Sequence, residues 1–461
     1  MTPKTRDVSL TPGWLPTRSP SDSWLALPVV VTAVVELYFL LRITLGAERP
    51  PMTPDAAIFQ HIGWSLTEGA RLYVDVWEPK LPLSYQTTGV LALLSGGDML
   101  VLHLLSVLLM MGAACGVVGL VSLLVWDSTH DRFAASVAGL SMLLLPGFFV
   151  RPAYGYKAKY PLLLAGLLAI VLYRRGRPTL SGAVAAASVG YWQAGLVFPC
   201  IVVGMALGDR DRRSLAAVLA GGAVFTVGML LPVVTVWDST SQMLVQAVLV
   251  PLVTEESTSL LPRVVAGVAH FKWASPFVLL GGVGLALVTR DVLFDCRDPV
   301  GRDEWWIPVG AGWFAFLVLF VDFEVGGYTD LIPGLAFLAI GVGVVAARVK
   351  PGRHRQAFAT TMTAVLVVNV VLLGSLGLVF SPVETPKPVP VSELDTNERA
   401  AAVPEIGTLP DVREIYWEQA RPSTCHYRLS LMEVQWIEKT QPYSGRECLD
   451  LATAWNALTR G

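Results

Sequence analysis

Apolar residues in this chain fall into long unbroken runs separated by short polar stretches. A membrane-spanning helix needs about 20 mostly apolar residues at 1.5 Å each. Runs of that kind stand near 24–46, 98–126, 132–150, 158–174, 214–237, 273–289, 304–321, 330–348 and 357–380. The stretch 179–207 is too long for one simple span and carries Gly190-Tyr191-Trp192-Gln193-Ala194-Gly195 at its middle. Glycines flanking a polar-aromatic cluster predict the tip of a tight helical hairpin, with Tyr and Trp at a membrane interface. The pattern therefore predicts an all-α polytopic membrane protein with about 11 transmembrane helices.

Composition agrees with the pattern. Of 461 residues, 53% are hydrophobic and 15% charged, with a mean hydropathy of +0.56. Soluble domains carry about a quarter charged residues, so this much apolar surface requires lipid. The net charge of −2 gives no basic field and excludes nucleic acid as a partner on charge grounds. Charge also orients the chain. With the hairpin, one side of the membrane collects 17 Lys and Arg against 8 in the opposite loops up to residue 380. A single span over 179–207 would carry Arg210, Arg212 and Arg213 to the other side. The positive-inside rule prefers the hairpin. The expected topology is a cytoplasmic tail at 1–23, a transmembrane domain at 24–380 with a large outer loop at 47–97, and everything after 380 outside. Residues 381–396 hold four prolines in their first ten positions and read as an extended linker. Residues 397–461 read as a small extracytoplasmic domain. Cys425 and Cys448 are its only cysteines, and an outer location permits a disulfide between them; two free thiols are the alternative. Glu36 and Arg42 lie in the first span, where Glu36 is expected to face the protein and Arg42 to snorkel outward.

The candidate chemistry is concentrated in 47–97. Thr53-Pro54-Asp55 reads as a helix start, with an N-cap, a proline at the first position and an acid in the first turn. Ile58, Phe59, Ile62 and Leu66 then fall on one face and Gln60, His61, Ser65 and Glu68 on the other, predicting an amphipathic helix in the membrane interface that ends at Gly69. The stretch Tyr73-Val74-Asp75-Val76-Trp77-Glu78-Pro79-Lys80-Leu81-Pro82 is dense in charge, aromatics and proline, and 83–95 is a second short interfacial candidate. His-x-x-x-His, Cys-x-x-Cys, Walker and Gly-x-Gly-x-x-Gly spacings do not occur, so neither a metal nor a nucleotide cofactor is indicated. Asp209-Arg210-Asp211 mimics a metal-binding Asp-x-Asp but lies among arginines on the cytoplasmic side and reads as a charged turn.

An aspartate just after the first span, an interfacial helix, then Glu68-Gly69, Tyr73, Asp75, Lys80 and Pro82 resembles the membrane-embedded glycosyltransferases of the C-type fold. The branch is that of the protein O-mannosyltransferases and lipid A aminoarabinose transferases. Asp322-Phe323-Glu324, Asp330-Leu331-Ile332-Pro333 and the tail from His426 to Cys448 narrow the likeness to archaeal dolichol-phosphate-mannose mannosyltransferases. The resemblance implies transfer of a hexose, mannose by the narrower likeness, from a dolichyl or polyprenyl phosphate. The acceptor is a lipid-linked or protein-linked glycan at the outer face, and no metal is used. It implies Asp55 as general base for an inverting displacement, with Lys80 first, then Arg151, Lys157 and Lys159, holding the donor phosphate. Asp75, Glu78, Asp322, Glu324 and Asp330 are expected to contact the acceptor or to order loops. The rival readings are a helix-dipole role for Asp55, and for the whole chain a transporter or flippase of lipid-linked sugars or a non-catalytic assembly subunit.

Overall fold

The computed structural model describes residues 23–253, 260–271, 274–294, 302–321, 328–374 and 412–420. Asp322, Glu324, Cys425, Cys448 and the linker at 381–396 lie outside the described residues. A helix stands at each of the places the hydrophobic pattern marks. The first span is α1 (Ser23–Thr44), followed in the outer loop by α2 (Pro54–Thr67) and α3 (Leu83–Leu94), then by the long α4 (Met99–Thr129). The third run is broken into α5 (Arg132–Ser141) and the short α6 (Pro146–Val150), a bend of 83° where Leu145-Pro146 cannot continue the ladder. Next come α7 (Lys159–Arg174), α8 (Pro178–Tyr191), α9 (Val197–Gly208) and α10 (Arg212–Thr235). Beyond them α11 (Thr240–Leu244) runs through a wide π turn at 245–249 into α12 (Val250–Val253), followed by α13 (Leu260–Ala269) and α14 (Ser275–Leu293). The bundle closes with α15 (Trp306–Phe316), α16 (Ile332–Arg348) and α17 (Arg353–Val367); a last helix, α18 (Val412–Trp417), comes from the tail.

Among the described residues five helices are long and apolar enough to cross a membrane alone, and the bent pair adds a sixth. Several others are shorter than the about 20 residues a straight crossing needs. Their packing depends on small residues that let backbones touch. A Cβ on Gly182 would stand 1.9 Å from the Val218 carbonyl, and one on Gly284 2.0 Å from that of Gly341. These contacts fix directions. Gly182 lies against Val218 and Gly190 against Met229, so α8 and α10 pack directly and run parallel, and α9 must carry the chain back in the opposite direction. The break at Trp192 is thus a hairpin tip, as the glycine-flanked cluster predicts.

Polar side chains sort to the two ends. One end carries the pairs Arg175–Asp127 (3.2 Å), Arg174–Glu304 (2.9 Å), Arg348–Asp291 and Arg355–Asp131. These are the segments that the charge count gathers on one side. The other end carries α2, α3, the 151–159 loop, the hairpin tip, the π turn and α18. Glu36 is fully buried and meets the Cys115 thiol at 3.6 Å, whereas Arg42 is exposed. One expectation needs correction. Helix α2 does not present its whole polar face to water: Gln60 and His61 are as buried as Ile62, while Ser65 is half-buried and Glu68 exposed, because α3, α4 and α18 cover the helix from several directions.

Candidate functional site

The site starts at the first turn of α2. Thr53 caps the helix, its hydroxyl accepting from the Ala56 amide at 3.3 Å, and Pro54 supplies a preset φ at the next position. Asp55 follows on the same turn with its side chain 36% exposed, so the carboxylate is reachable from outside. The Lys157 ammonium donates to its Oδ2. Lys157, first and foremost, holds the Asp55 carboxyl well below the usual carboxylate range; Lys80 and Arg151 act in the same direction, and burial opposes them.

Arg151 ties the 151–159 loop to that helix start. It is 2% exposed and donates to Thr53 Oγ1 at 2.6 Å, to the Gly155 carbonyl at 3.1 Å and to the Tyr156 carbonyl at 3.4 Å. All three acceptors are neutral. Gly155 has φ +95°, a region open to glycine, and a Cβ there would strike Gln60 Nε2 at 2.7 Å. The tight turn therefore lays Arg151 and Lys157 on either side of the first turn of α2.

The second wall is the loop from Leu72 to Pro82. Tyr73 is fully buried in a left-handed conformation, φ +69°, which a bulky residue adopts only when its surroundings compel it. The compulsion is visible. Its hydroxyl donates to the Lys80 carbonyl at 2.6 Å, and its carbonyl accepts from Gln246 Nε2 at 2.8 Å. Gln246 Oε1 in turn accepts from the Glu78 amide at 3.0 Å, and Gln193 at the hairpin tip donates to the Pro79 carbonyl at 2.8 Å. Glu78 accepts a hydrogen bond from Tyr85 and lies 3.4 Å from the Lys80 ammonium, which also stands over the Phe59 ring at 5.3 Å. Burial, then the Glu78 charge, push the Tyr85 phenol up, so it stays a donor. A third pair completes the rim: Lys159 meets Asp330, both nearly buried, and lies 4.6 Å from the centre of the Trp192 ring.

The expected site residues thus divide. Asp55, Glu78, Lys80, Arg151 and Lys157 come together, and Lys159 and Asp330 join them as a neutralised pair beside the hairpin tip. Asp75 does not: it is exposed, accepts from the Arg71 amide at 2.6 Å and pairs with the Arg71 side chain at 3.6 Å, so it orders the loop. Sequence reasoning missed Tyr85 and Gln246 as site-building residues. Gln246 did carry a signal, being the one polar side chain in the run from Met243 to Val253. Among the described residues no group of three or more His, Cys, Asp or Glu is placed to hold a metal ion.

Comparison with known proteins bears on this arrangement. Residues 69–231 match the family model described as DolP-mannose mannosyltransferase. The chain is 30% identical over 454 residues to the dolichol phosphate-mannose mannosyltransferase of Haloferax volcanii, covering 93% of this chain and 97% of that one. Two solved structures share the fold. ArnT from Cupriavidus metallidurans bound to undecaprenyl phosphate aligns with a TM-score of 0.51 at 16% identity, covering 83% of this chain and 69% of that one. The oligosaccharyltransferase AglB from Archaeoglobus fulgidus, in complex with an inhibitory peptide and a dolichol-phosphate, aligns with a TM-score of 0.52 at 13% identity over 86% of this chain and 59% of that one.

Proposed function

The chain belongs to the dolichol phosphate-mannose mannosyltransferase family, and from that premise we propose how its site performs the transfer. The donor is a dolichyl or polyprenyl phosphate mannose, and the acceptor is a hydroxyl of a glycan or glycoprotein at the outer face of the membrane. Asp55 is the general base. In one inverting displacement the acceptor oxygen bonds to the anomeric carbon, the bond from that carbon to the phosphate oxygen breaks, and the acceptor proton passes to Asp55. The phosphate leaves on its lipid with one more negative charge than it carried as a diester. Lys80 and Arg151 hold it, because that growing charge needs cations already in place.

The observation that carries this reading is a charge imbalance. Among the described residues Lys157 faces Asp55, Lys159 faces Asp330 and Lys80 faces Glu78, but Arg151, though near Asp55, hydrogen-bonds hydroxyl and carbonyl oxygens only. A buried guanidinium with no carboxylate hydrogen-bonded to it is costly unless an anion reaches it. A lipid phosphate at the membrane surface supplies that anion beside the partly exposed Asp55 carboxylate. Lys157, by keeping Asp55 ionised, holds the base ready.

The same reading sets the topology. The end rich in Arg pairs is cytoplasmic, the site and the tail are outside, and eleven helical segments cross, with the hairpin at 178–208 counting as two. A candidate site at one end of the bundle rather than at mid-membrane favours transfer over transport. Asp55→Asn tests the base. General-base assistance is worth about 10²–10⁴-fold, so turnover with polyprenyl phosphate mannose should fall at least about 100-fold while donor binding persists. Glu68→Gln, exposed at the far end of the same helix, should change little. Near-normal transfer by folded Asp55→Asn returns Asp55 to a helix-dipole role.

A further inference from the structure

The tail segment 412–420 is not absorbed by the mechanism above, yet it is locked onto the helix that begins with Asp55. Tyr416 is fully buried, and its hydroxyl donates to the Met99 carbonyl and lies 3.4 Å from Gln60 Oε1. His103 Nδ1 lies 3.3 Å from the same Gln60 oxygen, and the Trp417 ring packs edge-on against His103 at 6.0 Å. Arg49 stands over the outer side of Trp417, and Gln419 donates to the Gly97 carbonyl at 2.9 Å. The backbone of Ala420 is hydrogen-bonded to His61.

Gln60 is the junction. Its Nε2 donates to the Ala56 carbonyl at 2.9 Å, in the turn that carries Asp55. Gly155, the turn residue between Arg151 and Lys157, rests on Gln60 Nε2, on His103 and on Ala56. The base helix and the cation loop therefore share one support, and that support is completed by a side chain that arrives from the tail, after the last membrane helix.

We propose that Tyr416 is a positioning residue of the transfer site: acting through Gln60, it holds the Asp55 turn in register with the loop that presents Lys157. The tail segment is then part of the catalytic unit and not an appended module. The proposal rests on Asp55 being the base. Angular and translational register of this kind matters because a misplacement of about 1 Å is worth about 100-fold in rate. A lost hydroxyl shifts the turn by less, and an approximately tenfold fall in kcat is expected.

The test uses the full chain, purified, with polyprenyl phosphate mannose as donor. Tyr416→Phe keeps the ring and removes the hydroxyl; Gln60→Met removes the junction by a second route. In each, kcat should fall about tenfold with donor KM within about twofold. The acid limb of kcat/KM should also move to higher pH, because Asp55 faces Lys157 directly and Lys80 and Arg151 nearby, and loosening its register to Lys157 weakens the strongest of these. Combining the two substitutions should cost no more than either alone, as expected for one chain of contacts. An unchanged kcat, or a loss of active protein without movement of the acid limb, overturns the positioning role. Asp55→Asn run in parallel separates the two ideas: if it remains active the base assignment fails, and if it alone is inactive the positioning proposal fails by itself.

Discussion

Replacing Gln246 by Leu should weaken donor binding although Gln246 is remote in sequence from every residue that touches the donor in the proposed reaction. The side chain is fully buried and makes two hydrogen bonds, to the Glu78 amide at 3.0 Å and the Tyr73 carbonyl at 2.8 Å. Leu fills nearly the same volume, so the effect is not a cavity. What remains is a buried N–H and a buried C=O without partners, each costing about 1–3 kcal/mol. Tyr73 also loses one of the two bonds that hold it at positive φ, where a side-chain-bearing residue stores about 1–2 kcal/mol. Together these exceed what a short loop can sustain, and it should relax, carrying Lys80 away from its place over Phe59. A hydrogen bond to a charged group contributes about 1.5–3 kcal/mol, which at 1.4 kcal/mol per tenfold raises the donor KM by about 10–150-fold. Steady-state titration of polyprenyl phosphate mannose against purified protein reads this directly, with Gln242→Leu one turn earlier as the control. A donor KM within about threefold of the parent in folded Gln246→Leu would show that Gln246 does not govern Lys80, or that Lys80 does not meet the phosphate.

Other consequences follow from the same geometry. Lys157→Met removes the main influence that keeps Asp55 ionised, leaving burial opposed only by Lys80 and Arg151. The Asp55 pKa therefore rises, the unprotonated base is lost earlier as pH falls, and kcat/KM at pH 5 relative to pH 7.5 should drop further than in the parent; parallel profiles refute the pairing. A cysteine at Ser214, hydrogen-bonded to Asp211 at the rim with the arginine pairs, should resist impermeant thiol reagents in intact cells and label only after permeabilisation. Cys425 and Cys448 are proposed to form a disulfide worth about 3 kcal/mol by chain-entropy estimates, and non-reducing peptide mapping that finds both thiols free removes it.

The fold was legible where physics is periodic. Spans of lipid-facing helix must be apolar along their whole length, so their positions could be read to within a few residues. The hairpin at Trp192 was legible for a different reason, since moving Arg210, Arg212 and Arg213 across the membrane violates the charge asymmetry. The bend at Leu145-Pro146 and the π turn at 245–249 were not anticipated, because each depends on what the neighbouring helices leave room for. The polar face of α2 misled for a related reason. Gln60 and His61 at helical spacing look the same whether the second face meets water or, as here, protein from three other elements.

Of the site, the charged residues were legible and their pairing was not. Four cations and six carboxylates could be named from the sequence as outer-face groups near the loops that mattered, but the pairs Lys157–Asp55 and Lys159–Asp330 join residues about 100 or more positions apart. The pairing changes the roles. Taken as a set, Lys80, Arg151, Lys157 and Lys159 look like a pool of equivalent phosphate ligands. Once Lys157 is on Asp55, Lys159 on Asp330 and Lys80 on Glu78, they separate: in the proposed reaction the first keeps the base charged, the second fastens the 330 region to the hairpin tip, and Lys80 and Arg151 are assigned to the phosphate. Arg151 stands apart even from Lys80, since its partners are neutral and its burial nearly complete. A guanidinium fixed by Thr53, Gly155 and Tyr156 has little rotamer freedom left to lose, so in the proposed reaction it is oriented before the phosphate arrives. Lys carries its three donors on one flexible point charge and cannot span those three oxygens as the two guanidinium nitrogens do. Arg151→Lys should therefore act as a loss and not as a conservative exchange: it frees the Thr53 cap, loosens the loop that presents Lys157, and reduces kcat as well as donor affinity. Lys80→Arg, at a place with no such fixed fork, should be the milder change. The reverse order of severity in donor titrations would mean that the phosphate is held by Lys80 and that Arg151 serves only to brace the loop.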